Sequence, residues 1–88
     1  MSENNESRIS FTKNLIVSRS GRGYVTAHVR GTKITVEKWM EEDLRCRIRS
    51  MTSEEYKATG DKQWREAMKL VEEQAIEEAK QLFRKSNG

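Results

Sequence analysis

Two hydrophobic periods divide the chain. From Ile9 to Val36 apolar and polar residues alternate with a period of two. Ile9, Phe11, Leu15 and Val17 fall on one face, with Ser10, Thr12, Asn14 and Ser18 opposite; Lys13 and Ile16 break the pattern, which an edge strand tolerates. Val25, Ala27 and Val29 then alternate with Tyr24, Thr26, His28 and Arg30, and Ile34 and Val36 alternate with Lys33 and Thr35. Such alternation predicts antiparallel strands, each with one face buried.

Gly31-Thr32 suits a two-residue loop with glycine first. That loop pairs Arg30 with Lys33, Val29 with Ile34 and His28 with Thr35, so turn chemistry and hydrophobic register agree. The earlier connection, Arg19 to Gly23, carries two arginines and two glycines and reads as a longer, looser loop.

After Val36 the period lengthens. Val36, Met40, Leu44, Ile48 and Met51 recur at steps of four or three, one stripe of a helix, with Thr35 as its N-cap. Residues 44–49 also alternate as a strand would. Glu41 with Arg45 and Asp43 with Arg47 are helix-favouring pairs, and the helix is preferred. Thr52-Ser53-Glu54-Glu55 is a capping-box signature. Gly60-Asp61 reads as a stop with a fresh cap, or as a kink. From Lys62 the stripe Trp64, Ala67, Met68, Val71, Ala75, Ala79, Leu82 and Phe83 is the strongest in the chain.

The expected architecture is α+β: a three-stranded antiparallel sheet over about 8–36, packed on two or three helices over about 36–50, 53–59 and 62–85. Residues 1–7 read as a flexible polar tail, 8–85 as a single small domain and 86–88 as a frayed end. Element order alone is shared with phage-integrase arm-binding and plant AP2-type DNA-binding domains; their signatures are absent, and no residue is carried over. A last helix from Lys62 to Lys85 would run roughly 36 Å, longer than the strands, so its far end needs another cover or another chain. Trp64, Met68, Val71, Ala75, Ala79 and Phe83 are therefore core residues or, on the sharper reading, a partner or homodimer face.

Charge sharpens this picture. The net charge of +3 is uneven. Between Arg8 and Lys38 seven basic residues face one acidic residue, Glu37, a local +6; the tail's Glu3 and Glu6 give −2, and ten bases against eleven acids from Trp39 onward give −1. With helices on the apolar face, the other sheet face would show Tyr24, Thr26, His28, Arg30, Lys33 and Thr35. Arg30 opposite Lys33 is mildly unfavourable without an anion between them. Arg19, Arg22, Tyr24, His28, Arg30 and Lys33 are accordingly the candidate nucleic-acid contacts: cations for phosphate, Tyr or His for base stacking, glycines for close backbone approach. DNA and RNA are not distinguished. The bland reading is a solvated face whose charges keep an open sheet from aggregating. Arg45, Arg47 and Arg49 could form a second basic patch, but pairing with Glu41, Glu42 and Asp43 is the simpler expectation.

Other chemistry finds little support. Gly21-Arg22-Gly23 lacks the remainder of a phosphate-loop motif. One His and one Cys do not supply a usual zinc site. No nucleophile–base pair and no carboxylate pair stands in a recognisable setting, so no catalytic residue, metal or cofactor is expected, and an enzyme is the least favoured class. The lone Cys46 reads as a small, buried or half-buried hydrophobe and suits a reducing compartment such as the cytoplasm. No apolar run approaches a membrane span, and no membrane partner is expected. Two binding functions remain: a nucleic-acid module using the basic sheet, or a regulator or inhibitor of viral or mobile-element type. The latter would engage a host protein through its long helix or open sheet edge.

Overall fold

Three strands form an antiparallel sheet in the order β1 (Leu15–Ser20), β2 (Tyr24–Val29) and β3 (Thr35–Trp39). The computed structural model describes residues 9–87. Of the expected boundaries, the tail at 1–7, Arg8 and the terminal Gly88 lie outside these residues. A helical turn, α1 (Phe11–Asn14), precedes the sheet, and α2 (Glu42–Arg49) follows it. Next come α3 (Ser53–Glu55), a π-helical turn (Tyr56–Gly60) and α4 (Asp61–Asn87), which run on without a break. The α+β class and the three-stranded sheet are as the periodicity implied; several boundaries differ.

The first strand does not begin at Ile9. The Ser10 side chain accepts from the backbone N–H of Lys13 and caps a single helical turn. That turn swings Phe11 over Phe83, their ring centroids 5.5 Å apart. The chain's own N-terminal turn thus packs on the far end of the long helix, where Leu82 stays 39% exposed.

The third strand runs on to Trp39 rather than yielding to a helix at Val36. Its ladder pairs His28 with Thr35, Ala27 with Val36, Thr26 with Glu37, Val25 with Lys38 and Tyr24 with Trp39. Thr35 is therefore a strand residue, not a helix cap; the cap of α2 is Glu41, without a side-chain hydrogen bond. The 36–40–44–48 stripe misleads because Val36 on the strand and Met40 beyond it lie in one core, against which Leu44 on α2 packs. The stretch 44–49 is helical, resolving the helix–strand ambiguity.

Both turns are tight. The Thr32 N–H donates to the Val29 carbonyl, so Arg30 and Gly31 are the central residues of the second turn, with Gly31 at φ +86°. The His28–Thr35 register matches the sequence reading, although the turn centre lies one residue earlier. In the first connection the Gly23 N–H donates to the Ser20 carbonyl at 3.1 Å, closing a four-residue turn where a looser loop was expected.

The core joins the inner sheet face to the helices. Val25, Ala27, Val36, Met40, Met68, Val71, Ala75 and Ala79 form one buried cluster, flanked by Leu15, Val17, Leu44 and Trp64. Ala75 and Ala79 are fully buried, and their small side chains let α4 approach the sheet closely. The 53–87 helical run begins with the expected capping box, in which Thr52 and Glu55 bond each other's backbone N–H. It does not stop at Gly60. A Cβ there would stand 2.6 Å from the Met51 sulfur and 2.8 Å from Tyr56 Cδ1. The bare glycine lets the π turn pass against Met51, and the helix continues into α4 through Asn87, beyond the fraying expected at 86.

Candidate nucleic-acid interface

The outer sheet face is less basic than its sequence. Alternation sends Ile16, Ser18 and Ser20 of β1, Tyr24, Thr26 and His28 of β2, and Thr35, Glu37 and Trp39 of β3 to the side away from α4. Glu37 and His28 are the titratable groups near its middle. Arg19 and Lys38 point the other way and pair with the helix: Arg19 Nε reaches Glu72 at 2.6 Å and Lys38 Nζ reaches Glu78 at 2.6 Å. Arg19, expected on a loop facing an anion, is thus a strand residue tied to α4.

The candidate contacts separate into two ends. His28 and Lys33 lie near the second turn with Arg30, whose backbone N–H donates to the Asn14 carbonyl at 2.8 Å. His28 Nδ1 lies 2.9 Å from the Ile34 carbonyl and 3.0 Å from Thr35 Oγ1, which fixes the ring across the hairpin. With the carbonyl as acceptor, Nδ1 carries the proton in this assignment. At the opposite end stand Arg22 and Tyr24. Six strand residues at about 3.4 Å each separate the ends by roughly 20 Å, so the six candidates are not one site.

The structure assembles a different group around Tyr24. Register puts Trp39 directly opposite it, and the two rings meet with centroids 4.5 Å apart at 43°. Trp39 is 46% exposed, large for a tryptophan, and its Nε1–H donates to Glu37 Oε2 at 2.8 Å. The Arg45 guanidinium lies 5.0 Å from the Trp39 ring centroid, within cation–π range. Arg49 Nη2 donates to the Arg22 carbonyl at 3.2 Å, bringing α2 against the first turn. Gly23 makes this approach possible: its φ is +105°, and a Cβ would fall 2.7 Å from Arg45 Cδ and 3.3 Å from Trp64 Cη2.

Arg45 and Arg47 were expected to pair with Glu41 and Asp43, and neither pair comes within salt-bridge distance among the described residues. Arg45 instead packs between Gly23 and Trp39, with its Nε buried and lacking a hydrogen-bond partner. Sequence reading missed Trp39 because it ended the strand at Val36, and it named Arg45 only in a second basic patch that ion pairing was expected to absorb. The signal was present: Val36-Glu37-Lys38-Trp39 keeps the period of two, and the Gly31 register then places position 39 opposite Tyr24.

No protein family, no curated protein and no solved structure matches this chain. The site is therefore read from its own chemistry. Two aromatic rings, one half-exposed, sit with Arg45 over the indole, and Arg49 bonds the Arg22 carbonyl in the adjoining turn, an arrangement suited to stacking with charge support. Trp64, Met68, Val71, Ala75, Ala79 and Phe83, the sharper partner-face reading, belong to the intramolecular packing: the middle four are buried, and the end pair packs against it. Cys46 is exposed rather than buried. Among the described residues no group of His, Cys, Asp or Glu is arranged to hold a metal, and no helix is long and apolar enough to cross a membrane.

Proposed function

We propose that the protein is a small, non-enzymatic nucleic-acid-binding module that engages single strands through Tyr24, Trp39 and the arginines beside them. The observation that carries this reading is the Tyr24–Trp39 pair, its indole half-exposed, with Arg45 over the indole. Unpaired bases stack on such rings whatever their sequence, and neighbouring arginines follow the phosphates. A duplex hides its base faces and would use only the cations, so single strands should bind more tightly. The choice between DNA and RNA rests on 2′-hydroxyl contacts and is left to experiment. The exposed, lone Cys46 suits a reducing compartment, and we place the protein in the cytoplasm.

Fluorescence anisotropy of a labelled single-stranded oligonucleotide, titrated at low and moderate salt, tests the reading. Affinity that falls steeply with salt and exceeds that for a duplex of equal length supports it; no binding at low salt removes it.

One observation favours a second reading. Ile16 is 44% exposed on β1, which is an edge strand. An open edge with an outward apolar side chain suits strand addition by a host protein or a second copy of the chain. Stoichiometric complex formation abolished by Ile16→Lys, with no response to oligonucleotides, would establish that alternative.

A further inference from the structure

A groove lies beside the first turn, bounded by Trp64, which also packs against the core. It encloses about 550 Å³, within the range of roughly 300–1,000 Å³ usual for small-ligand clefts. Its walls come from the first turn, the end of α2 and the α3–π-turn segment. Ile48, Met51, Tyr56 and Trp64 give it an apolar and aromatic lining; Arg49 and Lys57 are its charged members, and no carboxylate lines it. Among the described residues neither cation forms a salt bridge. Arg49 is oriented by its bond to the Arg22 carbonyl, and Lys57 lies in the π turn. Such turns persist in helices frequently at functional sites. This one is maintained by the close fit of Gly60 against Met51 and Tyr56.

We infer that this groove binds one nucleotide unit, its base against the Met51, Tyr56 and Trp64 wall and its phosphate between Arg49 and Lys57. Charge complementarity selects the occupant: two cations without carboxylate partners call for an anion, and the aromatic wall calls for a planar body attached to it. The inference rests on the nucleic-acid reading and extends it. Arg49 of the groove bonds the carbonyl of Arg22, two residues before Tyr24, and Gly23 lies against both Trp64 and Arg45, so a strand stacked on the rings would pass its next phosphates toward Arg49. A peptide bearing an acidic side chain would meet the cations equally well, but it would leave the aromatic wall without a planar partner.

The test is an NMR titration of the full chain with adenosine monophosphate, with inorganic phosphate as control, read at the Trp64 and Trp39 indole N–H signals. The expected result is a saturable shift at Trp64 and at the Met51 and Lys57 amides, larger with the nucleotide than with phosphate. Lys57→Ala should weaken it and lower the salt slope for an oligonucleotide by about 0.7, the value for one single-strand phosphate contact. Ser53→Asp is a second variant. It adds a carboxylate to the groove wall at a helix start, where acids are tolerated, and should abolish the Trp64 shift. Unmoved Trp64 signals with adenosine monophosphate, or shifts unchanged in both variants, would overturn the groove assignment. Equal shifts with phosphate alone would overturn the base-binding wall. An oligonucleotide that moves Trp39 but leaves Trp64 unmoved would refute the groove and leave the aromatic pair standing. A Trp64 shift with mononucleotide but no oligonucleotide binding would uphold the groove and refute the strand-binding function.

Discussion

Tyr24 and Trp39 are directly paired across the β2–β3 ladder, with their ring centroids 4.5 Å apart on the outer face of the sheet. The pairing places the two largest outward side chains of these strands beside Arg45 and the first turn. It also makes the sheet asymmetric: aromatic and arginine-rich at one end, histidine and turn cations at the other.

That asymmetry separates the arginines by function. Arg22→Ala should weaken single-strand binding and reduce its salt sensitivity. The Arg30→Ala, Lys33→Ala double variant, at the far turn, should change affinity by less than about threefold. Anisotropy titrations at two salt concentrations compare them. Equal losses in both variants would mean that the anion follows the whole face rather than one end.

Arg19 is expected to leave binding almost unchanged, because its guanidinium is engaged with Glu72 on the helix side. Both side chains are partly exposed, so the ion pair contributes at most about 1 kcal/mol. Arg19→Ala and Glu72→Gln should each lower stability by up to that amount in urea denaturation. A large affinity loss in Arg19→Ala alone would show that the arginine leaves the helix to meet the ligand.

Gly23 couples the fold to the site. An alanine there meets an unfavourable φ of +105° and stands 2.7 Å from Arg45 Cδ. Gly23→Ala should cost about 1–3 kcal/mol, readable as a lower denaturation midpoint, and should displace Arg45 from Trp39. Gly21→Ala is the control, since nothing lies within 4 Å of the position its Cβ would occupy.

The Tyr56 phenol is pushed above its ordinary value of 10.0, first by desolvation and then by the Asp61 carboxylate, to whose Oδ1 it donates at 3.3 Å. A raised value favours the protonated phenol in the folded state. Its contribution to stability is therefore complete below the unfolded value near pH 10 and is lost as pH rises through the folded value. Absorbance titration of tyrosinate should show a high-pH component that Tyr56→Phe removes. Asp61→Asn should shift that component only part of the way down, since desolvation remains. An unchanged alkaline titration in Tyr56→Phe would contradict the assignment.

How far the sequence carried the fold can be seen at particular residues. The alternation of Val25, Ala27 and Val29, the Gly31 register and the stripe from Met68 to Ala79 led directly to the sheet and the helix upon it. The ends failed where tertiary contacts overrode local pattern. Phe11 fits an extended period of two, yet Ser10 caps a helical turn that delivers it to Phe83. Val36 and Met40 fit a helical stripe, yet β2 holds residues 35–39 in its ladder. The candidate site was half legible. Arg22 and Tyr24 stand in it, whereas Arg19 Nε and His28 Nδ1 are bonded within the fold. Trp39, Arg45 and Arg49 came from the length of β3 and the docking of α2, neither of which local periodicity determines.

The central claim is that exposed aromatic stacking, not diffuse positive charge, holds the ligand. Single-strand affinity of the Tyr24→Ala, Trp39→Ala double variant, measured by anisotropy beside the parent protein, tests it most directly; circular dichroism confirms that both are folded. Stacking predicts a loss of about 1–3 kcal/mol per base released, with the salt slope nearly unchanged because every cation remains. Full affinity in the folded double variant would contradict the account.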